Sequence, residues 1–109
     1  MAKCLIIAAD EYIRDSVADM TEGCGFECRT AENSIHGLIA CSERMPDVII
    51  INCMLPDMNG IEFFEILRGM PGGRRPFVIL CSDIQMRSGK GAAKYLESLR
   101  DSVVRAAFA

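Results

Sequence analysis

The 109-residue chain contains a single histidine, His36. That scarcity excludes zinc sites built on paired histidines. It also leaves no nucleophile–base pair, since His36 sits in the helical stretch SIHGLIA without an activated partner. Catalysis is not expected. Positive charge is short as well: 12 Lys and Arg face 15 Asp and Glu, for a net charge of -3. Nucleic-acid binding needs clustered cations opposite phosphates. The one basic clump, Arg74-Arg75, lies in a Gly/Pro turn and reads as solvated. No apolar run approaches the ~20 residues of a membrane span. The opening stretch MAKCLIIAADE meets acid early and lacks a signal-peptide cleavage pattern. The expectation is a cytoplasmic protein that binds neither nucleic acid nor membrane.

Cysteine, by contrast, is plentiful. The six thiols, Cys4, Cys24, Cys28, Cys41, Cys53 and Cys81, include no Cys-x-x-Cys pair. Cys4 in KCLIIA and Cys81 in FVILCS lie inside apolar runs, where free cysteine acts as a small buried hydrophobe. In a reducing cytosol disulfides are rare, so packing is the plain reading. The alternative is redox sensing, for which Cys24 and Cys28 flank a turn at GCGFEC.

Hydrophobic periodicity then organises the chain. KCLIIA is a short apolar run, a candidate buried strand. Ile13, Val17 and Met20 recur at helical spacing behind a capping Asp10, and Gly23 and Gly25 end that helix. FECRT is a second, more polar strand. Asn33 or Ser34 opens a second helix with Ile35, Leu38 and Ile39 on one side. DVIIIN is a continuous β-branched run, typical of a central parallel strand. Ile61, Phe64 and Leu67, with Phe63 and Met70, give a third helix a wide apolar face. PGGRRP turns the chain, and FVILC is a fourth buried strand. Beyond it the pattern is ambiguous. Tyr95, Leu96, Leu99, Val103 and Ala107 fit one amphipathic helix, but AKYLE also fits a fifth strand followed by a closing helix. Gly89 and Gly91 weaken any helix before them.

Alternating strands and helices imply right-handed crossovers and a parallel sheet covered on both faces. In such sheets ligands gather at the carboxyl ends of the strands. Those ends are Ala9-Asp10-Glu11, Asn52 and Cys81-Ser82.

MPDVIIINCMLPDMNGIEFFEILR resembles the core of a response-regulator receiver domain, and the resemblance covers nearly the whole chain. KCLIIAADEYIRDSV is similar to the family's first strand and acidic turn, RPFVILCSD to its fourth strand, and GAAKYLES to the segment before its lysine. The resemblance implies a flavodoxin-like, doubly wound α/β fold with five parallel strands and five helices. It favours the fifth strand in the tail, with the fourth-helix region shortened. From its length of 109 residues the chain is expected to be a single domain, residues 1–109, with no output domain.

Carried over residue by residue, the likeness places the phosphoacceptor aspartate on Asn52. The magnesium-holding acidic pair falls on Ala9 and Asp10, leaving Asp10 as a residual ligand at most. The switch hydroxyl falls on Cys81, the lysine on Ser98 and the proline after it on Leu99. The switch aromatic is retained as Tyr95. An amide is a feeble nucleophile, and magnesium is commonly held by one or two carboxylates with water. Without the acids there is little repulsion for a lysine to relieve, so the departures fit one another. Their number weighs against a laboratory substitution at Asn52 alone. Asp57 and Asp83 are alternative acceptors only on paper, since both are read as loop residues with no cation beside them.

The expectation is a stand-alone pseudo-receiver in a two-component phosphorelay. It would act without phosphorylation, metal or cofactor, as an adaptor or inhibitor docking on a histidine kinase, phosphotransfer protein or response regulator. The alternative is a cysteine-based redox-responsive regulator. IQMRSGKGAAK is the segment that departs most from the family, so Ile84, Met86 and Tyr95 are the expected contact residues. The charged first-helix surface, with Tyr12, Arg14, Asp15, Asp19 and Glu22, reads as solvated.

Overall fold

The structure is a computed structural model that describes residues 1–88. Four strands, β1 (Lys3–Ile7), β2 (Glu27–Ala31), β3 (Val48–Asn52) and β4 (Phe77–Cys81), alternate with α1 (Glu11–Gly23), α2 (Ser34–Glu43), α3 (Gly60–Arg68) and α4 (Asp83–Ser88). Every strand pair is parallel and the sheet order is β2-β1-β3-β4. The chain thus starts in the interior of the sheet, runs to one edge and crosses back. This is the flavodoxin-like α/β arrangement expected, with four of the five expected strands among the described residues. The fifth strand and fifth helix, the extent of the fourth-helix region beyond Ser88, and Tyr95, Ser98 and Leu99 lie outside the described residues.

Side-chain alternation along β1 and β3 divides the core into two layers. Cys4, Ile6, Val48 and Ile50 face one way, packing with Ile13 and Val17 of α1, Phe26, and Met86 of α4. Leu5, Ile7, Ile49 and Ile51 face the other way, with Cys41 of α2 and Phe63 and Leu67 of α3. Asp47 aligns the amino ends of three strands. Its carboxylate accepts the Lys3 N–H at 2.8 Å, its own N–H donates to Lys3, and its carbonyl accepts from Phe77.

Helix starts follow their capping residues. The side chains of Asp10, Asn33 and Asn59 accept the N–H groups of Ile13, His36 and Glu62, respectively. The Asn59 side-chain amide also donates to Glu62 Oε1 at 2.9 Å, so the cap and the third helical residue are bonded in both directions. Gly25, at φ 94, makes the left-handed turn from α1 toward β2 that most L-residues avoid. At Gly60 the helix start lies close against the end of the exposed Leu80 side chain, which a Cβ there would push aside.

Three expectations about burial are corrected. On α2 the buried residues are Ser34, Gly37 and Cys41, whereas Ile35 and Ile39 are exposed. Gly37 lets the helix backbone approach Ile7 and Phe63, so a side without bulk faces the sheet. On α3 Phe63 and Leu67 point inward while Ile61 is 65% exposed, because helical spacing puts Ile61 outside the narrow buried stripe. β4 is not fully buried either: Phe77 and Leu80 are exposed, and only Cys81 of this strand is buried. Among the described residues β4 pairs with β3 alone.

Candidate functional site

The parallel register delivers Ala9, Asp10, Asn52 and Cys81 to one end of the sheet. β1 is hydrogen-bonded to β3 up to Ile7↔Ile51, and β3 to β4 up to Asn52↔Cys81. Beyond that last pair the Cys53 N–H donates to the Cys81 carbonyl at 2.9 Å.

Asn52 is 4% exposed, and both ends of its amide are engaged. Nδ2 donates to the Asp83 carboxylate. Oδ1 accepts the Met54 N–H at 2.9 Å. A buried amide needs such partners, since an unmet polar atom costs ~1–3 kcal/mol. Asp83 is not a loop residue, as expected from sequence, but lies in the first turn of α4. Ser82 and Gln85 brace that turn: Gln85 Oε1 accepts the Ser82 N–H at 2.9 Å, and Ser82 Oγ accepts the Gln85 N–H at 3.2 Å.

At the end of β1, Ala9 offers no side-chain ligand, and the Asp10 carboxylate accepts the Ile13 N–H at 3.0 Å as the cap of α1. Arg14 was expected on a solvated surface. Instead its guanidinium folds back, donating to the carbonyls of Ala8 at 2.8 Å and Ala9 at 3.2 Å. Sequence periodicity did not single out this contact, because a helical cation four residues past a cap is ordinary. Cys81 is buried, and burial followed by the neighbouring Cys53 charge raises its thiol pKa.

Asp57 has a different task. Its carboxylate accepts the N–H groups of Ser34 at 3.0 Å and Ile35 at 2.8 Å, tying the β3–α3 loop to the start of α2. Desolvation pushes its pKa up, but the backbone donors of Ile35 and Ser34 outweigh that and leave it below its ordinary value.

The donor set does not suit magnesium. That ion wants a near-octahedral oxygen shell with carboxylate among its ligands. Ala9 contributes nothing there, Asp10 is occupied as a helix cap, and the Asn52 oxygen already accepts a backbone N–H. Among the described residues no group of three or more His, Cys, Asp or Glu is placed to hold a metal. No helix among them is long and apolar enough to cross a membrane.

The expected contact residues separate. Ile84 is 79% exposed on α4, but Met86 is 2% exposed and packs into the core layer under α1. Met86 as a contact residue is therefore a correction. Its side chain turns inward on the same short helix that turns Ile84 outward, and two residues apart on a helix do not share a face.

A parallel, doubly wound α/β domain with polar residues collected beyond its strand ends is the architecture of a signalling receiver. The response regulator receiver domain family matches residues 4–97, and the chain belongs to that family. It is a receiver domain of two-component signalling. It is 38% identical over 68 residues to the KDP operon transcriptional regulatory protein of Escherichia coli, covering 62% of this chain and 30% of that protein. With the phosphate regulon transcriptional regulatory protein of Pseudomonas aeruginosa the identity is 36% over 69 residues, again covering 62% and 30%. The chain therefore matches less than a third of the length of these two curated relatives. Among solved structures, a CheY-like receiver domain from Methylobacillus flagellatus superposes with a TM-score of 0.73 at 22% identity, covering 78% of this chain and 72% of that one. A chemotaxis response regulator of Vibrio cholerae gives 0.74 at 21% identity, covering 94% and 98%. At these identities the structural likeness speaks for the fold alone.

Proposed function

We propose that this receiver works without receiving a phosphoryl group, as a pseudo-receiver that acts through protein contacts. The observation that carries the reading is the engagement of Asn52, whose amide is bonded at one end to Asp83 and at the other to the Met54 N–H. A receiver's acceptor must present an anionic oxygen in line with phosphorus, with a cation to neutralise the developing charge. Here the position holds a neutral amide whose oxygen is already in use. Ala9, Cys81 and Ser98 stand where the family has an acid, a hydroxyl and a lysine.

With no charge to gain, the site has no means of driving a switch, and the partner-facing surface stays in one state. The role this suits is that of an adaptor or inhibitor, binding a histidine kinase, a phosphotransfer protein or a response regulator. Ile84 and Tyr95 are the residues assigned to that contact.

The decisive experiment is incubation with acetyl phosphate and magnesium, followed by intact-mass measurement. The mass is expected to stay unchanged, and beryllofluoride is expected to leave the amide resonances of residues 52 and 81 in place. Stoichiometric gain of one phosphoryl group overturns the proposal.

A further inference from the structure

The two cysteines that the parallel register sets side by side are Cys4 and Cys28. They are Cα partners on β1 and β2. In-register residues on neighbouring parallel strands project from the same face, and the strands lie ~4.8 Å apart. That spacing lies within the ~4.4–6.8 Å Cα separation a disulfide spans. Both side chains pack in the same core layer, beneath α1. Their access differs. Cys4 is 1% exposed, whereas Cys28 is only partly buried, with its sulfur 3.8 Å from the Ala18 carbonyl of α1. β2 is an edge strand, with β1 as its one described neighbour in the sheet.

We propose that Cys4 and Cys28 form a reversible dithiol–disulfide site that a hydroperoxide oxidises, with Cys28 as the attacking sulfur and Cys4 as the resolving one. The inference is independent of what happens at Asn52. The thiol chemistry matches this division of labour. Cys28 is held below its ordinary pKa, first by the hydrogen-bonding Cys4 side chain, against the opposing effects of burial and the Glu22 charge. Cys4 is pushed up, by the same partner and by burial. The thiolate is the nucleophile, so the member with the lowered pKa and the wider access reacts first.

In the first step the Cys28 thiolate attacks the peroxide's terminal oxygen. An S–O bond forms, the O–O bond breaks, and the departing alkoxide or hydroxide takes up a proton. In the second step the Cys4 sulfur gives up its proton and attacks the Cys28 sulfur, and the hydroxyl group leaves as water. Two thiols lose two electrons in all, and the peroxide is reduced to an alcohol, or to water when hydrogen peroxide is used. The cross-link closes a loop containing the whole of α1 and draws the Cys28 sulfur away from the Ala18 carbonyl. Cys24 lies near but on the turn after α1, outside the strand register, and takes no part.

The test is hydrogen peroxide treatment of the full chain, followed by intact mass and non-reducing peptide mapping. The expected product is lighter by two hydrogen atoms, carries a Cys4–Cys28 linked peptide and reverts with dithiothreitol. Cys28→Ser is expected to abolish the link and Cys24→Ser to leave it. Oxygen addition at Cys28 without linkage, a link through Cys24, or no oxidation of either residue overturns the proposal. The wild-type map decides the matter by itself should Cys28→Ser fail to fold.

Discussion

Asn52 donates from Nδ2 to the carboxylate of Asp83, joining the end of β3 to the first turn of α4. The end of the central strand and the start of α4 are thereby connected by a direct side-chain hydrogen bond. Replacing the donor tests how firm the connection is.

Asn52→Asp places a second carboxylate against Asp83. Two such groups at bonding distance do not ionise together readily, so one pKa rises above its unfolded value. The variant is expected to lose roughly 1–3 kcal/mol near neutral pH, the scale of a broken buried polar contact. The sign with pH follows from the extra proton bound by the folded state. Stability is retained at acidic pH and lost as pH rises through the raised pKa. Urea titrations at mildly acidic and mildly alkaline pH measure this. A penalty that is the same at both would show that the two side chains do not meet.

The same substitution bears on function. Asn52→Asp alone is expected to restore little phosphorylation, because Ala9 and Ser98 still leave the site short of a metal ligand and a cation. The triple variant Ala9→Asp, Asn52→Asp, Ser98→Lys is expected to bind magnesium, measured by calorimetry, and to accept phosphate from acetyl phosphate. Full phosphorylation of the single variant would make the other departures incidental.

Asp57 supports a prediction about the fold. Its carboxylate holds two N–H groups at the start of α2, and Asn can offer only one oxygen and no charge. Asp57→Asn is expected to cost about 1 kcal/mol, the usual worth of an N-terminal cap. Because backbone donors lower the folded pKa, the wild-type advantage is present above the unfolded carboxylate pKa. It fades as pH falls through the lower folded value. Denaturation midpoints of both proteins across the acidic range check this, and a gap that persists at the acid extreme would rule the mechanism out.

The sheet and its strand ends were legible because β-branched runs such as VIIIN and capping residues such as Asp10 and Asn33 are local signals. What a helix buries is not local. Ile35, Ile39 and Ile61 have the composition of a core face, yet Gly37 lets α2 settle so closely on Ile7 and Phe63 that its small residues point inward. The Asn52–Asp83 and Asp57–Ser34 contacts span 31 and 23 residues. No short motif announces them, although a buried amide must find partners somewhere.

Met86 and Ile84 sit two positions apart on α4 and are expected to respond in opposite ways. Met86 fills the core layer beside α1, so Met86→Ala leaves a cavity and is expected to cost roughly 2–5 kcal/mol of stability. Ile84 touches solvent, and Ile84→Ala is expected to change stability by no more than about 0.5 kcal/mol. Partner binding should show the reverse emphasis. An exposed apolar side chain on a surface rimmed by polar residues is the type that anchors a small interface, and Ile84→Ala is expected to weaken binding by about 1 kcal/mol or more. If the proposed reading holds, affinity should not depend on phosphoryl donors. The measurements are thermal melts of both variants, and titration of wild type and Ile84→Ala against each candidate in turn: kinase, phosphotransfer protein and response regulator. If Ile84→Ala leaves binding unchanged while Asn52→Ala abolishes it in a folded protein, recognition lies at the strand ends and the assignment of the α4 surface is wrong.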